Sequence, residues 1–208
     1  MPTETRLRDG TRAIIWRLLP SDRDLIREGY EHLSPEAQYH RFLSAVPHLT
    51  ESMLRHLVDE VDGVNHVAVG LFAFPDGHTG VPAGIARMVR YPDQPHQADA
   101  AVTVLDEWQG RGVATELLDE LIRRRPQGIT QIVTDVAADN QAPIHMLRHI
   151  GTVTLSRETQ GLLHVVCDLP EPAEDPWATV AQPQPDDTTV SETPAPAPAP
   201  HDDSPQGS

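Results

Sequence analysis

"AVTVLDEWQGRGVATELLDELI", residues 101–122, decides how this chain is read. The apolar, β-branched run ending near Leu105 has the pattern of a strand. Val113, Leu117, Leu118, Leu121 and Ile122 recur at helical spacing and make one apolar stripe. Glu116, Asp119 and Glu120 lie early in that helix and Arg123, Arg124 and Arg125 late, as its dipole prefers, and Pro126 ends it. Between strand and helix stand two glycines and an arginine. A Walker loop is excluded, because it needs a lysine and the chain has none. A dinucleotide-binding G-x-G-x-x-G would need a third glycine where Thr115 stands. What remains is a tight turn through Gln109, Gly110, Arg111 and Gly112 that presents the first free N–H groups of a helix, with a guanidinium beside them. Such a junction suits an anion, most naturally a pyrophosphate.

Working outward, the elements alternate in type. Residues 13–19 read as a strand. Helices follow at 22–33 behind Ser21, at 35–44 behind Ser34 and Pro35, and at 51–61 behind Thr50. Strands are expected at 65–74 and 84–91 around the turn-rich "PDGHTGVP", and again at 99–105. After the helix at 112–125 come a strand at 131–138, a short helix at 142–150, and a closing pair at 152–158 and 162–169. The order βαααβββαβαββ predicts an α/β (α+β) layer built on a mixed sheet.

Composition bounds the rest. The chain has 208 residues and a formal net charge of −15, which argues against a general nucleic-acid binder. All its basic residues are arginine. Residues 1–170 form one expected domain with 23 acidic and 16 basic residues, a net −7 that favours a cationic partner. Residues 171–208 carry eight acids, nine prolines and no arginine, and read as a disordered acidic tail. Cys167 is the only cysteine, in an apolar strand, so it reads as a small buried hydrophobe. No apolar run approaches the about 18–20 residues of a membrane span, and the N-terminus lacks the apolar core of a signal peptide. A cytoplasmic protein is expected. His145 and His149 stand at i, i+4 without a third ligand in view, so no metal is expected.

"VTVLDEWQGRGVATELL" resembles the acyl-CoA motif of the GNAT N-acetyltransferase superfamily, Q/R-x-x-G-x-G/A, with Gln109, Gly112 and Ala114 at its fixed positions. "DNQAPIHMLRHIG" matches that family's second motif through Asn140, Met146 and Gly151. The resemblance spans roughly residues 5–169. It implies a mixed, mostly antiparallel sheet flanked by helices, and acetyl-CoA as cosubstrate. It further implies that Val102 and Val104 meet the pantetheine arm through their main chain. Gln109, Gly110, Arg111, Gly112, Val113, Ala114 and Thr115 would hold the pyrophosphate, and Asn140 would flank the thiol. "RDGTRAIIWRLLPSDRDLIREGYEHLSPEAQYHRFLS" with "ADAAVTVLDEWQGRG" is similar to bacterial protein lysine acetyltransferases of the Pat type. That likeness implies a protein lysine as acceptor and the three early helices as the acceptor side.

Two departures bear on chemistry. Pat-type domains carry a glutamate where this chain has Asp99, which keeps the carboxylate on a shorter arm. Many GNAT enzymes have a tyrosine seven residues after the motif asparagine, to protonate the leaving sulfur. Leu147 stands there, and only Tyr30, Tyr39 and Tyr91 exist. Asp99 is the expected base. A small-molecule amine as acceptor, and a non-catalytic acyl-CoA-binding module, stay open as alternatives.

Overall fold

The computed structural model describes residues 1–44, 46–157 and 161–171; the expected tail lies, from residue 172, outside the described residues. Its strands are β1 (Thr3–Arg6), β2 (Arg12–Arg17), β3 (His66–Phe74), β4 (Val81–Tyr91), β5 (Gln94–Val104), β6 (Gln131–Ala137), β7 (Thr152–Arg157) and β8 (Leu162–Asp168). They form one sheet in the order β1-β2-β3-β4-β5-β6-β8-β7. Every neighbouring pair is antiparallel except β5–β6, whose parallel run needs the crossover that the helix between them provides. The helices are α1 (Arg23–Glu31), α2 (Pro35–Phe42), α3 (Glu51–Leu54), α4 (Val113–Arg123) and α5 (Ala142–Ile150).

Helices cover both faces. Leu117, Leu118 and Leu121 of α4 and Ile144 and Leu147 of α5 pack with Ile15, Leu71 and Met88 on one face. Ile26, Tyr30, Leu54 and Val58 pack with Leu18 and Ala68 on the other. That is why β3 is buried without interruption from His66 to Leu71 rather than alternating. Ser34 and Thr50 cap their helices as expected, accepting from Ala37 N–H (3.3 Å) and Met53 N–H (3.2 Å). Ser21 does not cap. A 3₁₀ turn at Pro20–Asp22 leads into α1, and the Asp22 carboxylate accepts from Leu19 N–H (2.9 Å) and Trp16 Nε1–H (3.1 Å). The helix expected at 51–61 widens after Leu54 into a π-type turn, Arg55–Asp59.

Among the described residues, β1 is the strand that the sequence pattern does not announce, because "TETR" carries no apolar side chain. Its partners explain it. Thr5 Oγ1 donates to Glu116 Oε2 (2.6 Å) and Thr3 Oγ1 to Glu120 Oε1 (2.8 Å), so β1 is fastened to α4 by hydroxyl–carboxylate bonds. Glu120 is only 2% exposed and also pairs with Arg123 and Arg124. Gly151, between α5 and β7, has extended backbone; a Cβ there would run into the carbonyl oxygen of Asp168, so β8 requires glycine at this spot. Among the described residues, no helix is long and apolar enough to cross a membrane.

Burial alone would raise the Glu120 pKa. Hydrogen bonds from Arg124 and Thr3 and the charges of both arginines outweigh it and hold the pKa below its ordinary 4.5. A depressed carboxylate gives stability that is complete above pH ~4.5 and drains away as pH falls further. Both arginines reach solvent, so we expect Glu120→Gln to cost about 1–2 kcal/mol at neutral pH rather than the 3–5 of a sealed pair. Urea titrations from pH 7 to pH 3 check this: the variant should show a smaller loss of stability in acid than the parent.

Candidate active site

The site begins where β5 and β6 part. They pair only at Gln97–Gln131 and Ala98–Ile132. Gln97 Nε2 donates to Gln131 Oε1 (2.9 Å), and Thr130 N–H donates to the His96 carbonyl (2.9 Å), which locks this foot. Beyond it each strand keeps a full antiparallel ladder on its outer side, β5 with β4 and β6 with β8. A cleft of about 860 Å³ opens between them.

Hydrogen-bond direction shows what the cleft offers. Leu105 N–H donates to the Ala83 carbonyl on β4 (3.0 Å). By the alternation of an antiparallel ladder, Thr103, Ala101 and Asp99 also turn their backbone groups to β4. Ala100, Val102 and Val104 therefore aim N–H and C=O at the gap, where β6 no longer answers them. Val102 and Val104 line the cleft.

At the far end is the glycine junction. Gly112 precedes α4 with φ +92°, and a Cβ there would come within 2.9 Å of Arg8 Cγ, so both conformation and space demand glycine. The first closed helical bond is Glu116 N–H to the Gly112 carbonyl (3.1 Å). No side chain caps the helix, so the N–H groups of Val113, Ala114 and Thr115 point out together. Gln109, Gly110 and these three residues all line the cleft. Arg111 does not: its guanidinium lies 4.7 Å over the Trp108 ring and pairs with Asp9 (3.5 Å). The cation beside the junction is Arg8, whose N–H donates to the Arg111 carbonyl (3.0 Å) and whose Nη2 reaches Thr115 Oγ1 (3.5 Å). Arg8 sits in the β1–β2 turn and could not be placed without β1.

Asn140 lines the wall towards α5, its Oδ1 accepting from Ala142 N–H (3.3 Å). Leu147 is buried on the same wall. Cys167 is buried beneath it, donating to the Leu147 carbonyl (3.4 Å), and burial pushes its thiol up to about 11, which leaves it inert. His149 pairs with Asp119 (3.6 Å). At the foot, Tyr91 lines the cleft and donates to the Val133 carbonyl (3.1 Å), just past the last β5–β6 pair. Burial, then the charges of Asp99 and Asp135, push its pKa up, so its hydroxyl keeps its proton.

Asp99 also lines the cleft, on the face covered by α1–α3. Two arginines share that face: Arg41 of α2, stacked 4.7 Å over the Phe42 ring, and Arg87 of β4. Burial, then repulsion from Arg87, pushes Arg41 down to about 10, and burial lowers Arg87 as well. The site thus gathers Asp99, Val102, Val104, Gln109, Gly110, Gly112–Thr115 and Asn140, adds Arg8 and Tyr91, and turns the Arg111 side chain elsewhere.

The sequence model described as "Acetyltransferase (GNAT) family" matches residues 26–152. Among curated proteins, the chain is 30% identical over 170 residues to acetyltransferase Pat of Mycolicibacterium smegmatis, covering 81% of this chain but only 49% of that longer protein. It is also 30% identical over 148 residues to an acetyltransferase of Pseudomonas aeruginosa, covering 71% of this chain and 78% of that one. Among solved structures, the GNAT domain of S. lividans PAT superposes with a TM-score of 0.69 at 27% identity, covering 81% of this chain and 97% of that domain.

His66, next to Arg87 on the α1–α3 face, is 4% exposed with Nε2 unpartnered. Burial, then the charges of Arg87 and His56, pushes its pKa down to about 4. The unfolded chain takes that proton first, so stability falls as pH drops from 6.5 to about 4 and levels off below. The expected loss is on the order of 2 kcal/mol, and chemical denaturation across that range should show it shrink in His66→Gln.

Proposed function

The chain belongs to the GNAT family of acetyltransferases, and on that footing we propose that it moves an acetyl group from acetyl-CoA directly to an amine, first of all a protein lysine. One observation carries the reading: a single cleft joins the unpaired edge of β5 to the uncapped N-terminus of α4. The two ends of that cleft match the two polar parts of coenzyme A. The pyrophosphate takes the N–H groups of Val113, Ala114 and Thr115, with Gln109, Gly110 and Gly112 leaving it room and Arg8 supplying charge. The pantetheine amides extend along Val102 and Val104 as an added strand would, and Asn140 stands by the thiol. The Pat relatives support lysine as acceptor. A lone buried thiol and dependence on acetyl-CoA both suit the cytoplasm.

The chemistry follows from the foot of the cleft. An alkyl ammonium with pKa ~10.4 must lose a proton before it can attack. Asp99 accepts it through a water that makes up for the short side chain. The Ala100 N–H, unpaired and next to Asp99, polarises the thioester carbonyl. The amine nitrogen bonds to the acyl carbon, the carbon–sulfur bond breaks, and the sulfur leaves as thiolate. Leu147 can protonate nothing, so Tyr91 serves as proton donor from the other side of the gap.

The test is calorimetric titration of acetyl-CoA into the wild type and Gly112→Trp, with thiol release followed on lysine peptides. Binding near micromolar Kd should weaken at least about 30-fold in a variant that stays folded, since the indole fills the anion position. Asp99→Asn should lower kcat/KM by about 10²–10³, and Tyr91→Phe by about tenfold, with acetyl-CoA binding little changed. Binding without release on a broad amine panel would favour an acyl-CoA-binding module without turnover, a reading that the Leu147 wall also fits. No binding to the wild type would sink the proposal.

A further inference from the structure

Arg41 stands at the α2 side of the cleft with Arg87 close by, and guanidinium N–H groups of both are unanswered. Arg41 Nη2 and Arg87 Nε and Nη1 are shut away from solvent and have no hydrogen-bond partner. The same is true of Thr103 Oγ1. The ladder explains why they meet. Cross-strand partners put their side chains on one face, and Arg87 pairs with Ala101, Thr103 with Ile85, and Asp99 with Val89. Arg87, Thr103 and Asp99 therefore project together, and Arg41 comes down on them from α2. Arg41 and Thr103 line the cleft on one side and, on the other, an apolar cavity of about 60 Å³ beneath α1–α3.

One carboxylate serves both guanidinium groups. The groups that act on this pair are Asp99, His66 and, for Arg41, the Tyr30 hydroxyl. His66 is held neutral and Asp99 makes no ion pair with either guanidinium. Of the carboxylates that line the cleft, Asp99 alone acts on the two guanidinium groups, and it touches neither. Unmet guanidinium N–H groups of this kind are costly, and a planar carboxylate is the group that meets them best.

We infer that Arg41, backed by Arg87 and Thr103, binds a carboxylate of the substrate beside the reacting atoms. The inference rests on the acyl-CoA reading of the cleft and sharpens it. The carboxylate belongs either to the acceptor amine, as in an α-amino acid, or to the transferred acyl group, as in a dicarboxylic acyl-CoA.

Calorimetry on the full chain separates the two sources. In one arm succinyl-CoA is compared with butyryl-CoA and acetyl-CoA. In the other, with CoA bound, L-lysine, L-phenylalanine and L-threonine are each compared with their α-amides. The carboxylate ligand should bind at least about tenfold tighter than its neutral counterpart in one arm. Arg41→Gln should bring that ratio close to unity, and Arg41→Lys, which keeps the charge without the fork, should fall between. The empty Arg41→Gln protein should melt no lower than the wild type, since a shielded, unmet guanidinium N–H has been removed. Equal affinities in both arms with acetyl-CoA still bound would overturn this inference alone, as would a preference that survives Arg41→Gln or a variant that melts well below the wild type. Failure of every CoA ester to bind would overturn the acyl-CoA reading and this inference with it.

Discussion

Strands β5 and β6 run side by side for two residue pairs and then separate, and the site depends on that short union. Each strand is already laddered along its outer side, so the gap cannot close by sliding either one across. The backbone groups of Ala100, Val102 and Val104 are left facing a space with no protein partner. In a sealed interior each such group would cost about 1–3 kcal/mol. An open cleft lets water, or the amides of a ligand, answer them instead. The foot keeps this geometry in place through the Gln97–Gln131 amide pair and the Thr130 bond to the His96 carbonyl.

The second requirement is that α4 end at the mouth of the same gap. Its apolar stripe seats it on the sheet, and its polar flank is tied to β1 through Thr3, Thr5, Glu116 and Glu120. The β1–β2 turn then brings Arg8 over Gly112, where the lack of a Cβ leaves room for the arginine stem. A polar N-terminal strand thus places the helix terminus and delivers the cation beside it. The buried Glu120 is structural, although along the helix it reads as one more acidic residue near the N-terminus.

Most of the fold was legible in the sequence because its signals are local. The glycine junction, the caps at Ser34 and Thr50 and the shift from helical to strand period need only neighbouring residues to be read. What escaped depends on distant partners. Strand β1 has no apolar pattern, since what holds it is carboxylates more than a hundred residues away. Arg8 was invisible for the same reason. Arg111 looked like the phosphate ligand from its place in the motif, but Trp108 and Asp9 claim its side chain. Tyr91 has no local signal either, because its role depends on a hydroxyl that reaches from β4 past β5 to Val133 of β6. Arg41 and Arg87 lie on separate elements, and only the fold reveals that they share a face without a partner.

Amide hydrogen exchange with and without acetyl-CoA tests the central claim, that the unpaired edge of β5 and the start of α4 are one ligand site. The account predicts slower exchange on binding at Val102, Val104 and the first-turn amides Val113–Thr115, with little change at Ala101 and Thr103, whose N–H groups β4 already holds. Equal protection at odd and even positions along β5, or protection confined to some other surface, would contradict it.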